Sequence, residues 1–88
     1  MEVNNIKAEL KDLEIQEIAS LIRMDWGNVN YAAEPYLDAM SQLKSIDDRY
    51  FYDTGKNMVL YFLANAQTWR GEVAREVKAE LKARCKSK

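Results

Sequence analysis

The sequence predicts an all-α fold, a small bundle of four to five helices in a single domain spanning residues 1–88. Three observations predict it. Apolar residues recur at three- and four-residue spacing along most of the chain, as helices with one buried face require. Period-2 alternation is not sustained anywhere, and no Asn-Gly or Asp-Gly hairpin signal occurs. Glycine is limited to three residues, and the one proline, Pro35, stands where a helix can begin.

The first helical stretch covers residues 4–26. Ile6, Leu10, Leu13 and Met24 project to one side at about 100° per residue, while Ile15, Ile18, Ile22 and Trp26 project to another. Either one helix carries a wide apolar face, or it breaks near Leu13 with Asp12 capping a second piece; the break is preferred. Gly27 then ends the helix in the left-handed conformation. A second helix runs from Ala33 to Lys44, with Pro35 in its first turn and Ala33, Leu37, Met40 and Leu43 as its apolar line. Residues 45–53 form an aromatic loop. Asp53 or Thr54 caps a third helix over 54–66, which is apolar nearly all round and is therefore the central, most buried element. Thr68 caps a last helix over 69–85, whose narrow stripe is Trp69, Val73, Val77 and Leu81. In this reading Trp69 is buried, Arg70 forms an ion pair or a carbonyl contact, with Asp25 or else Asp53 as the acidic partner, and Gly71 allows a close approach.

Composition removes whole classes of function. The chain contains no His, so Ser-His-Asp and Cys-His catalysis are absent, as is any His-containing metal site. One Cys forms neither an internal disulfide nor a zinc cluster, which suits a reducing cytosol. The longest apolar run, Met58 to Ala64, is seven residues, against the roughly 20 of a membrane span. The N-terminal residues lack the basic and apolar regions of a signal peptide. So short a chain has a modest core, so long helices or a partner subunit are expected to supply the rest, and a homo-oligomer is expected.

No motif carries catalysis. Gly55-Lys56 lacks the earlier glycine and the hydroxyl of a phosphate-binding loop. Ser41-Gln42-Leu43-Lys44 matches a serine acyl-enzyme pattern without its partner motifs. Asp47, Asp48 and Asp53 lack calcium-loop spacing and read as turn and capping groups. Cys85 has cationic neighbours but no base, and reads as passive. No catalytic residue, cofactor or metal is expected.

Two surfaces remain. Tyr31, Tyr36, Tyr50, Phe51 and Tyr52 lie in or beside loops and are the candidate partner-binding residues, because Tyr offers large contact area at low entropy cost. The competing reading has them cover the ends of core helices. Charge is polarised: residues 1–53 carry a net −6 and residues 70–88 a net +4. Arg75, Lys78, Lys82 and Arg84 are the candidate nucleic-acid contacts, although Glu72, Glu76 and Glu80 run along the same helix. Pairs Glu72–Arg75 and Glu80–Arg84 would make it a self-paired, solvated helix.

Three stretches carry a resemblance: Arg23-Met24-Asp25-Trp26, Tyr31 to Met40, and Val59 to Gly71. Over residues 15–82 the chain resembles a family of short, uncharacterised proteins of phages and prophages of Gram-positive bacteria. The resemblance implies a small phage product in the host cytoplasm that meets a host or phage macromolecule, an inhibitor of bacterial defence being one such role. It implies no activity. The expected function is a non-enzymatic helical interaction protein with a protein partner; the alternative is a nucleic-acid-binding accessory protein using the last helix.

Overall fold

A computed structural model describes residues 10–86. Four helices and one two-stranded hairpin follow in order: α1 (Ile15–Asp25), α2 (Glu34–Met40), β1 (Arg49–Tyr50), β2 (Asp53–Thr54), α3 (Gly55–Ala64) and α4 (Glu72–Lys86). The fold is mostly helical, with the small antiparallel sheet as the departure from all-α. The portion of the first helical stretch before Leu10 lies outside the described residues, as does Lys88.

The preferred break near Leu13 is present, but Glu14 rather than Asp12 stands at the cap of α1. Its backbone N–H donates to the Glu17 carboxylate at 2.8 Å. Glu17 itself lies in the first turn, where a negative charge offsets the helix dipole. The first free amides of α1 also find acceptors across the fold. Ile15 N–H donates to the Lys44 carbonyl at 3.0 Å and Gln16 N–H to the Leu43 carbonyl at 2.7 Å. These bonds satisfy groups that a helix start leaves unpaired and dock α1 onto the segment following α2.

Helix α2 starts with Pro35 in its first turn as expected, yet it stops at Met40; Ser41 to Leu43 continue as turns. Thr54 caps α3 as expected, its hydroxyl accepting from Asn57 N–H at 3.2 Å. Ahead of it, Arg49 pairs with Thr54 and Tyr50 with Asp53, leaving Phe51-Tyr52 as a two-residue turn. Phe51 takes φ +58°. Primed hairpin turns need such a residue and normally use Gly or Asn, so the sequence carries no recognisable signal for this hairpin. The left-handed backbone at Phe51 stores about 1–2 kcal/mol.

The glycines differ from expectation. Gly27 is not left-handed, whereas Gly71 is, with φ +113° and open space where a Cβ would stand. The close approach belongs to Gly55 instead, where a Cβ would lie 2.8 Å from the Ser45 carbonyl oxygen. Gly71 also delays the last helix until Glu72, so Trp69 precedes α4 rather than heading its stripe. Ala74, Val77, Leu81 and Cys85 form the buried line of α4. Burial pushes the Cys85 thiol above its ordinary pKa, with Lys56 pulling weakly the other way.

One core joins all four helices. Helix α3 packs chiefly on α2 and also touches α4, and α4 rests on α1 as well. Met58, Val59 and Phe62 face inward from α3. Its other side is open, which corrects the expectation of burial all round.

Two substitutions test this packing by thermal or denaturant unfolding. Phe62 has no exposed surface, and Phe62→Ala is expected to cost about 3–5 kcal/mol through lost transfer energy and an unfilled cavity. Gly55→Ala gains helix propensity but drives a methyl group into main chain. A net loss of about 1–3 kcal/mol is expected; equal or higher stability would refute the close approach.

Candidate functional site

Four of the six exposed large apolar side chains among the described residues lie on the β-hairpin and the outward face of α3, the others being Met24 on α1 and Tyr31 before α2. Phe51 is 80% exposed and Tyr52 98% exposed at the hairpin turn, while Leu60 and Tyr61 on α3 are 41% and 44% exposed. Their connection can be traced residue by residue. Asn57, in the first turn of α3, donates through its side-chain amide to the Asp53 carboxylate in β2 at 2.7 Å. Leu60 and Tyr61 lie one turn further along that side of the helix. The Tyr61 ring then meets Tyr36 of α2 with centroids 5.3 Å apart. At the other end, the Tyr50 ring stands edge-on to Phe51 at 4.7 Å. The strip from the hairpin turn to α2 thus consists of two aromatic pairs, Tyr50–Phe51 and Tyr36–Tyr61, separated by the polar Asp53–Asn57 contact.

This strip brings together four of the five aromatics singled out from the sequence. Tyr36 and Tyr50 are half-buried and support it, whereas Phe51 and Tyr52 project from it. Tyr31 is exposed but stands at the opposite end of α3. Its neighbour Asn30 donates to the Asn65 carbonyl, just past the helix C-terminus. Sequence reasoning missed Leu60 and Tyr61, because an apolar run alone gives no sign of which side a helix leaves open. The available signal was angular: Leu60, about 200° round from Met58, opposes the buried Met58–Val59–Phe62 side, and Tyr61, about 60° back from Met58, flanks it.

The last helix separates its cations into engaged and free groups. Arg84 pairs with Glu80 at 2.8 Å and donates to the Leu10 carbonyl at 2.6 Å, tying α4 to the chain ahead of α1. Lys78 donates to the Trp69 carbonyl at 2.7 Å and lies 5.8 Å from the Trp69 ring centre. Burial, with Lys82 and Arg70 nearby, holds its pKa below the ordinary lysine value. Arg75 and Lys82 are exposed, and Arg75 makes no ion pair with Glu72 among the described residues. The four expected nucleic-acid contacts thus do not act as one set, since Lys78 and Arg84 bind the protein itself.

Trp69 is buried as expected, at 2% exposure, but Asp25 accepts from its indole N–H at 2.9 Å and is not paired with Arg70. Arg70 is exposed, without an ion pair among the described residues. Asp47 is exposed, while Asp48 accepts from the Lys44 and Ser45 amides at 2.8 and 3.3 Å, a turn-capping role. No group of three acidic or thiol side chains able to hold a metal occurs among the described residues. No helix among them is long and apolar enough to cross a membrane. Neither a protein-family model, a curated protein nor a solved structure matches the chain.

The Asp25–Trp69 bond predicts an asymmetry measurable by thermal unfolding. Asp25→Ala leaves the indole N–H without its acceptor and is expected to cost about 1–2 kcal/mol. Arg70→Ala is expected to stay within about 0.5 kcal/mol of the parent. A larger loss for Arg70→Ala would restore the structural ion pair.

Proposed function

We propose that this is a non-enzymatic interaction protein that occupies a macromolecular partner through the strip formed by Phe51, Tyr52, Leu60 and Tyr61. The observation that carries the reading is the placement of exposed rings on a supported surface. Tyr36 meets Tyr61 and Tyr50 meets Phe51, so those two rings present contact area with less side-chain entropy to lose on binding. The turn at Phe51 supports it further, because left-handed backbone at a bulky residue is uncommon and such outliers cluster at ligand clamps and switch regions. The charged α4 is the weaker surface for a partner, since two of its four candidate cations are engaged internally. The resemblance to phage and prophage proteins makes a host or phage protein the partner to seek, in the host cytoplasm.

The test pairs a binding measurement with a stability measurement. Tyr52→Ala and Leu60→Ala are expected to leave melting within about 0.5 kcal/mol of the parent, because both side chains are exposed. Together they are expected to weaken partner capture from host cells by about tenfold or more, as loss of central aromatic anchors does. Arg75→Ala is the control and should retain capture. Retained capture by the double variant with loss in the control would move the interface to α4.

A further inference from the structure

We propose that a second copy of this chain occupies the aromatic strip in a two-fold dimer, the hairpin turn of each copy seated on the outer side of α3 in the other. The inference rests on reading the strip as an interaction surface, and it names the partner. The two ends of the strip are unlike. Phe51 and Tyr52 project almost fully exposed at the turn, whereas Leu60 and Tyr61 are less than half exposed and Tyr61 lies against Tyr36. The polar Asp53–Asn57 contact separates them. A two-fold axis brings the same patch of both copies together, so residue i of one meets residue j of the other and the reverse. A patch with one projecting and one lower end meets that condition. Both turn-to-helix contacts form at once, and the polar centres coincide.

The area agrees with a weak dimer. At about 200 Å² for each aromatic side chain, the exposed fractions of Phe51, Tyr52 and Tyr61 amount to about 450 Å² per copy. Burying them in both copies removes about 900 Å² from water before Leu60 and the polar rim are counted. A specific interface needs roughly 1,000 Å², and one near that bound belongs to the weak, exchanging class. The turn also gains a contact it lacks. Phe51 holds a left-handed backbone, and Tyr50 is its ring partner within the chain.

Charge favours this surface over α4 for a like copy. Identical surfaces repel where one sign prevails. The exposed cations Arg75, Lys82 and Lys86 on α4 would face their own kind across a two-fold axis. The hairpin, the turn before it and the start of α3 instead carry Asp47, Asp48, Arg49, Asp53 and Lys56, which are nearly balanced. Arg49 and Lys56 of one copy can therefore face Asp47 and Asp53 of the other. A net charge of −1 for the whole chain adds little repulsion.

The test is sedimentation velocity of the full chain from about 1 μM to about 1 mM, with a reversible dimer of Kd about 10–100 μM expected. Tyr52→Ala and Leu60→Ala, both with parent-like circular dichroism, are each expected to weaken it by about fivefold or more. Arg75→Ala should dimerise like the parent. An equimolar mixture of the two weakened variants is expected to dimerise at least about threefold more tightly than either alone. Each mixed dimer keeps one turn-to-helix contact with both side chains present, and losses at touching residues are not additive. A monomer over the whole range, or undiminished association of Y52A/L60A, would overturn the dimer. A mixture no tighter than its components would overturn the turn-to-helix pairing. A monomeric parent whose double variant loses capture from host cells would remove the second copy and leave the strip as an interaction surface. Dimerisation with capture retained by the double variant would support the dimer and remove that other partner from the strip.

Discussion

The junction between α3 and α4 depends on one packed aromatic contact. Trp69 stacks on Trp26 with centroids 5.8 Å apart and planes 10° from parallel, and Phe62 meets both rings edge-on at 6.3 and 6.4 Å. Each ring comes from a different place: the C-cap of α1, the inward face of α3, and the connection into α4. Aromatic rings bury large areas, and stacked or edge-on pairs add about 0.5–1.5 kcal/mol beyond area alone. The indole bond to Asp25 removes the penalty of burying an unpaired N–H. Helix α4 needs this anchor. Its own buried line contains two small side chains, Ala74 and Cys85, so area burial along it is limited. The Lys78 ammonium, bonded to the Trp69 carbonyl, then holds the first turns of α4 against the same junction.

The nine aromatic residues divide into two populations with opposite consequences. Trp26, Phe62 and Trp69 are core. Most of the others lie on α2, the hairpin and α3, where Tyr36 and Tyr50 pack against the edge of that core and Phe51 and Tyr52 stay exposed. Helix packing explains the division. Met58, Val59 and Phe62 are the buried side of α3, which packs with α2 and α4, while on its outer side Tyr36 of α2 meets Tyr61 and leaves Leu60 and Tyr61 partly exposed. Apolar residues placed there stay at the surface whatever their hydropathy. Single exposed hydrophobics are ordinary on protein surfaces, so side chains at these positions need no role in the core to be tolerated there.

Much of this architecture was legible in the sequence, and the failures have identifiable causes. The break after Leu13, Pro35 in the first turn of α2 and the Thr54 cap followed from local chemistry that tertiary contacts did not override. The hairpin was hidden because Phe51 adopts a conformation its residue type disfavours. The left-handed and close-approach roles expected of Gly27 and Gly71 fall instead to Gly71 and Gly55, since composition does not say whether a glycine is retained for backbone angle or for space. Burial of Trp69 was anticipated for an incorrect reason. Four-residue spacing placed it on the stripe of α4, yet Gly71 separates it from that helix, and its partner is Trp26. For the surface, sequence located four aromatics of the strip but not Leu60 and Tyr61, whose exposure depends on which side of α3 its neighbours cover.

Charge follows a different logic from the apolar residues. An acidic first half and a basic end could have neutralised each other by pairing across the fold, but the ion pairs among the described residues do not do this. Arg23 bridges to Glu34 and Asp38 within the acidic half, and Arg84 pairs with Glu80 within α4. Among the described residues, Arg84 reaches from the basic end to the Leu10 carbonyl in the acidic half, a hydrogen bond to main chain and not to a carboxylate. Folding therefore leaves the polarity written in the sequence in place among the described residues. On α4 it also sharpens it: Arg75, Lys82 and Lys86, spaced seven and four residues apart, fall within about 40° on the solvent side, while Glu76 and Glu80 occupy an adjacent edge. Surface pairs contribute little stability, so there is little energetic pressure to join these edges. A separated field instead steers association with charged partners. The same chain can thus present an aromatic strip on α3 and a cationic edge on α4, each built from residues the core does not require.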